Sequence, residues 1–232
     1  MNKFPRSAYV HIPFCHRRCF YCDFAVIPLG NKVETLQGYG SKTVKEYLHF
    51  LYKEILSIKH KSSLSTIYVG GGTPSILDPQ QIKQLIDLFK ENYGVDYGAE
   101  ITMEVDPASF NLDDLHGFIN AGINRFSLGV QSFNNQILQK SGRRHLREDA
   151  EKSCLWLKKV YSAGLIKSWS LDLIQNLPLS GFREWQDDLK KAISFSPPHI
   201  SIYDLNIENG TVFKKLVNSG KLQLPSDEEA FR

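Results

Sequence analysis

Short runs rich in β-branched and aromatic residues alternate with amphipathic stretches along almost the whole chain. This alternation constrains the fold more than any other feature of the sequence. Residues 8–12 read as a first strand. A Gly-containing stretch from Gly30 to Gly40 leads to a long helix over about 41–60, whose apolar stripe is Val44, Leu48, Leu51, Ile55 and Ile58. A second strand over 66–69 runs into Gly70, Gly71 and Gly72, and Pro79 opens a helix with Ile82, Leu85, Ile86 and Phe89 on one side. A third strand covers 100–105, and Asn111 or Asp113 caps a helix through Ile119 that stops at Gly122. A strand over 125–130, a helix over about 146–163 closed by Gly164, and a strand over 168–174 follow. A helix over 182–195 with Trp185, Leu189 and Ile193 turned inward and a strand over 200–203 complete the series.

Strand–helix units in series predict a parallel sheet. A full eight-unit barrel takes about 250 residues. About six units in 232 residues therefore predict an α/β fold, a partial (β/α)6 TIM-like barrel with parallel strands. Chemistry in such folds collects at the C-terminal ends of the strands, and the unusual residues stand there. They are the cysteine loop, the glycine tract, Glu104 to Pro107, Gln131-Ser132 and Asp172. Near the end, Pro225-Ser226-Asp227-Glu228-Glu229 spells a helix start, with Ser226 as N-cap and Glu229 placed for a capping box. Three residues follow, and a helix that short has little stability of its own. Residues 1–210 thus read as the core domain and 211–232 as the start of a C-terminal region cut short, so the chain is expected to be a piece of something longer.

The composition narrows the function classes. Lys+Arg 28 against Asp+Glu 25 gives a net charge of +3, and the basic clusters Arg17-Arg18 and Arg143-Arg144 make no stripe of the kind that binds nucleic acid. No apolar run approaches the roughly 20 residues of a membrane span. No signal-peptide core precedes the first strand, so the expected compartment is the cytosol. Nothing in the sequence sets an oligomeric state. Three of the four cysteines fall at Cys15, Cys19 and Cys22. In a reducing compartment, clustered thiols read as metal or cluster ligands.

Cys15-x-x-x-Cys19-x-x-Cys22 offers three thiolates on one loop. A [4Fe–4S] cubane has four irons, each wanting a ligand, so three cysteines leave one iron open to chelate an amino group and a carboxylate. The alternative is a zinc site completed by His11 or His16. Cys154 reads as a core residue. The tract Gly70-Gly71-Gly72-Thr73-Pro74 either lets the backbone approach a ligand or simply turns the chain. Glu104 and Asp172 are acids at strand ends, suited to a ligand or to a salt bridge with Arg125 or Arg143. Asp106, before Pro107, suits a turn cap.

The cysteine loop after the first strand, with Tyr21 just before its last cysteine, and the Gly-Gly-Gly-Thr-Pro tract after the second resemble the radical S-adenosylmethionine (SAM) enzymes. Further text resembles the oxygen-independent coproporphyrinogen III oxidase family: Tyr9 to Cys15, Tyr21 to Phe24, Gly129 to Ser132, Ser170 to Ile174 and Ile207 to Thr211. In that family's dehydrogenases a further cysteine follows two residues after the third. Phe24 stands there in this chain, and Cys-Asp-Phe is similar to the HemW-type heme chaperone branch. The resemblance implies that Cys15, Cys19 and Cys22 hold a [4Fe–4S] cluster. It implies that Tyr9, Tyr21, Gly71, Gly72, Thr73, Glu104, Gln131, Arg143 and Asp172 bind SAM. Glu104 would take the ammonium, Arg143 the carboxylate, and Gln131 and Asp172 the ribose or adenine edges. Heme or a porphyrinogen, and heme-accepting apoproteins, are the implied partners. The branch's His-Asn-x-x-Tyr-Trp heme motif, which lies in its C-terminal region, does not occur in these residues.

Overall fold

The computed structural model describes residues 4–30, 39–58 and 62–224. Strand β1 (Ser7–Ile12) is followed by two short strands, β2 (Phe14–Cys15) and β3 (Ile27–Pro28). Then come α1 (Tyr39–Ser57), β4 (Leu64–Gly71), α2 (Pro79–Asn92), β5 (Val95–Val105), α3 (Leu112–Ala121), β6 (Arg125–Gln131) and α4 (Asn135–Lys140). The remainder is α5 (Arg147–Ser162), β7 (Ser168–Gln175), α6 (Phe182–Ser194), β8 (His199–Asp204) and α7 (Val212–Asn218). Six strands form one sheet in the order β1-β4-β5-β6-β7-β8, all pairs parallel. Strand order follows chain order, as a partial (β/α) barrel requires. The pair β2–β3 forms a separate small ladder, Phe14 opposite Ile27 and Cys15 opposite Pro28, that brackets the cysteine loop.

Successive strand side chains point to opposite faces. One face carries Val10, Ile12, Ile67, Val69, Met103, Val105, Phe126, Leu128, Trp169 and Leu171, all buried in one cluster. Ile82, Leu85 and Ile86 of α2, Leu115 and Phe118 of α3, and Cys154, Leu157 and Val160 of α5 pack into the same cluster. Each fully buried Leu or Ile in this layer contributes about 1.5–3 kcal/mol of transfer free energy. Truncating Leu85, which is fully buried, to Ala would cost about 2–5 kcal/mol. The alternate positions Tyr9, Tyr68, Thr102, Glu104, Ser127, Ser170 and Asp172 form the other, polar face. The stabilising core therefore lies between sheet and helices, and the concave face is left for polar groups.

Local signals explain the helix boundaries. Asp78 caps α2 in a reciprocal box with Gln81, and Pro79 takes the first helical position. Of the two candidates for α3, Asn111 is the cap: its side chain accepts the Asp113 and Asp114 amides, and the helix ends on left-handed Gly122. Several expectations shift. Gly70 and Gly71 are the last residues of β4 rather than a loop beyond it. Ile58 lies past the end of α1 and is exposed, and Ile193 of α6 is 63% exposed, with Asp188 and Ala192 buried in its place. Helices α4 and α7 were not anticipated. The stretch 31–38, the helix end at His60 and the helix start at 225–229 lie outside the described residues. Among the described residues no helix is long and apolar enough to cross a membrane.

Candidate functional site

The cysteine loop is docked at three points. The Phe20 amide donates to the Ser141 carbonyl at 3.0 Å, in the turn that follows α4. The Phe213 amide, in the first turn of α7, donates to the Phe20 carbonyl at 2.9 Å, and the two rings meet edge-on. Phe213 is fully buried, beside Phe20, Tyr21, Ile137 and Leu177. The third point is the end of β4, where Gly72 and Thr73 donate backbone N–H groups to Ile12 and Phe14 carbonyls at 2.8 and 2.7 Å. A Cβ on Gly72 would sit 2.6 Å from the Phe14 carbonyl oxygen and 3.0 Å from Cys15 Sγ. Gly71 and Gly70 are similarly crowded by His11 and by Tyr68 with Glu104. The glycine tract is thus needed because the cysteine loop and the polar face press directly against its backbone.

A cavity of about 360 Å³ opens where the loop meets the C-terminal ends of the strands, within the range of about 300–1,000 Å³ usual for small-molecule sites. Cys15, Cys19, Cys22, Tyr21, Gly71, Gly72, Thr73, Glu104, Gln131, Arg143 and Asp172 all line it. Tyr9 does not. Its ring is 61% exposed on β1 and stacks on Tyr68 at 6.0 Å, and Tyr68 in turn donates to Glu104 Oε1 at 2.9 Å. All three cysteines of the loop are free thiols, as is buried Cys154. Thr73 Oγ1 donates to Cys15 Sγ, and Arg143 Nη1 to Cys19 Sγ, each at 3.5 Å. Burial pushes the Cys15 thiol up to about 11, with the Thr73 hydrogen bond opposing, and raises Cys22 as well. Loading a metal or cluster on these sulfurs therefore displaces protons.

Glu104 and Asp172, on the polar face, make no salt bridge among the described residues. Glu104 accepts from the Tyr68 hydroxyl and from the Gly71 amide at 3.0 Å, and burial raises its pKa. Asp172 accepts from Ser127 Oγ at 2.6 Å and Ser170 Oγ at 3.3 Å. Arg143 pairs instead with Asp106, whose carboxylate also closes a turn onto the Ala108 amide at 3.1 Å. Despite its burial, Asp106 is held far below the usual carboxylate range by the Arg143 charge and by His145. The sequence reading missed this use of Asp106 and the roles of His145, Ser127, Ser170 and Phe20. Among the described residues, Gln131 Oε1 and Arg143 Nε are buried at the cavity without a hydrogen-bond partner. Gln131 also holds a left-handed backbone, φ 67°, which is costly outside glycine. Orphaned acceptor and donor groups beside two carboxylates suit a ligand with amine, hydroxyl and carboxylate functions.

The donor set also bears on the metal. Among the described residues no three His, Cys, Asp or Glu groups converge on a single-ion site. His11 is engaged at both ring nitrogens, by Tyr9 Oη at 3.2 Å and the Ala25 carbonyl at 2.9 Å. The three thiols on a loop over an open cavity fit a cubane, whose irons occupy separate corners, better than one tetrahedral zinc.

Comparison with known proteins agrees with this geometry. The profile of the radical SAM superfamily matches residues 9–171. The chain belongs to the radical SAM superfamily. Membership implies a [4Fe–4S] cluster and SAM as its cofactors. Curated relatives include the heme chaperone HemW of Synechocystis sp., 40% identical over 97% of this chain and 53% of that protein. Another is the heme chaperone HemW of Lactococcus lactis, 36% identical over 97% of this chain and 55% of that one. The chain spans about half the length of the curated relatives it matches. Among solved structures, coproporphyrinogen III oxidase (HemN) from Escherichia coli, a radical SAM enzyme, superposes with a TM-score of 0.80 at 30% identity. That alignment covers 99% of this chain and 50% of the other.

Proposed function

We propose that this chain is the cluster- and SAM-binding part of a HemW-type heme chaperone, working in the cytosol and passing heme to apoproteins. The observation that carries the reading is Phe24. Its ring is 60% exposed and lines the cavity where the dehydrogenase branch is expected to carry a further thiol. An apolar ring there offers a flat contact surface and no sulfur. The HemW relatives support the same branch over nearly the full chain.

In this reading Cys15, Cys19 and Cys22 hold the cluster, which when bound with SAM and reduced supplies one-electron cleavage of the sulfonium. The chain's own residues bind and orient. Glu104, already fixed by Tyr68 and Gly71, takes the ammonium of SAM. Asp172, fixed by Ser127 and Ser170, takes the ribose hydroxyls, and the orphaned Gln131 Oε1 accepts from an adenine or ribose edge. The test is anaerobic. The chain is reconstituted with iron and sulfide and given reductant, SAM and coproporphyrinogen III, and protoporphyrinogen and 5′-deoxyadenosine are quantified. Nucleoside without tetrapyrrole product is expected. Protoporphyrinogen formed in step with the nucleoside would make the protein a coproporphyrinogen dehydrogenase and overturn the reading.

A further inference from the structure

Arg143 is engaged at both Nη atoms, while its Nε stays open at the cavity. Its side chain is 11% exposed. Nη2 donates to the Asp106 carboxylate and to the Gly129 carbonyl at 2.7 Å. His145 is buried, with Nε2 3.1 Å from the Val130 carbonyl and Nδ1 3.2 Å from Arg143 Nη2 and 3.8 Å from the Asp106 carboxylate. Asp106 is fixed in turn: its amide donates to Ser75 Oγ at 3.1 Å and its Oδ1 accepts from Ala108. With Nη2 saturated on this side, the guanidinium plane is set, and Nη1 points at Cys19 Sγ. The three cysteines consequently differ. Cys15 has a neutral hydroxyl donor in Thr73, Cys22 neighbours exposed Arg18, and Cys19 has a buried cationic donor.

We infer that Asp106 is a positioning residue that aims the Arg143 guanidinium at the Cys19 sulfur, and that this contact raises the reduction potential of the cluster. A charged donor to a ligating thiolate stabilises the extra electron of the reduced state, and burial strengthens the contact. The inference rests on the assignment of Cys19 as a cluster ligand and is independent of any tetrapyrrole.

The test reads the potential directly. The chain is reconstituted with ferrous iron and sulfide, without SAM, and iron per chain and midpoint potential are measured by an EPR-monitored redox titration. Asp106→Ala is expected to keep its iron and shift the potential to more negative values. The sign is diagnostic. Asp106 acting merely through its own charge would, when removed, shift the potential the other way, so a positive shift or none overturns the inference. In an Arg143→Met background, Asp106→Ala is expected to lower the potential no further; a continued fall of the same size would also overturn it. If Asp106→Ala fails to fold, Arg143→Lys keeps the charge but loses the planar fork. It is expected to shift the potential negatively, and an unchanged value refutes the proposal. Failure of the wild-type chain to take up iron would refute the cluster assignment itself, and the inference with it.

Discussion

Gly142 joins two elements that are remote in sequence, and replacing it tests how the cysteine loop is held. Its φ is +75°, and a Cβ there would lie 2.7 Å from a ring carbon of Phe20. Phe20 cannot simply retreat, because its amide bonds the Ser141 carbonyl at 3.0 Å and its carbonyl accepts from Phe213 at 2.9 Å. Gly164 supplies the control: φ is +70°, with nothing within 4 Å of the added carbon. Both Gly→Ala variants carry the left-handed backbone cost, about 1–2 kcal/mol, and the same gain from a stiffer unfolded chain. Gly142→Ala alone adds overpacking, about 1–3 kcal/mol. It is therefore expected to be less stable than Gly164→Ala by about 1–3 kcal/mol in urea denaturation. Iron uptake adds a second readout. Gly164→Ala should load like wild type, while Gly142→Ala, whose clash displaces the residue next to Cys19, should load poorly. Equal stabilities together with equal iron contents would refute the docking argument.

Other perturbations separate ligands from scaffold. Cys19→Ala should abolish cluster assembly, measured as iron and sulfide per chain, whereas Cys154→Ala should keep full iron and lose about 1 kcal/mol of stability as one small buried group is removed. Glu104 has a raised folded pKa, so its ionisation opposes folding once pH exceeds the unfolded value. Glu104→Gln should therefore match or exceed the wild-type apo stability at neutral pH, lose that advantage as pH falls and Glu104 protonates, and bind SAM more weakly in equilibrium dialysis. Asp106 has the opposite sign. Its contribution is present above the unfolded carboxylate value, about 3.9, and is lost only as pH falls through the much lower folded value. Denaturation of Asp106→Asn should show a deficit of up to about 3–5 kcal/mol at neutral pH that closes only in strong acid.

The serial strand–helix pattern and the cysteine spacing carried most of the fold and the cavity lining. What escaped did so for identifiable reasons. Helix α4 has six residues and buries Ile137 and Leu138, too few for a periodic signal, yet it places the Ser141–Arg143 turn that receives the loop. Helix α7 is similarly short and matters through Phe213. In α6, steps of four residues from Trp185 to Leu189 to Ile193 drift by about 40° each at 3.6 residues per turn, which carries Ile193 off the buried face. Asp188 takes the place because its carboxylate is needed by the Phe133 amide, 2.7 Å away, a tertiary demand no local pattern announces. The Asp106–Arg143 pair joins residues brought together only when the ends of β5 and β6 lie side by side. Glu104 and Asp172 looked equally suited to ion pairing because sequence cannot show that Arg143 is already taken.

The period-two division of the sheet bears on how such a chain can diverge. Val69, Met103, Leu128 and Leu171 face the helices, while Tyr68, Glu104, Ser127 and Asp172 stand one residue away on the opposite face. A substitution at one of the second set alters what the concavity can recognise and leaves the apolar layer intact. A substitution at one of the first set changes stability and leaves recognition untouched. Selection can therefore act on ligand choice and on folding through separate sets of positions along the same six strands. A lineage built on this sheet can acquire a new substrate with little risk to its scaffold, provided that the cysteine loop and its glycine seat are kept.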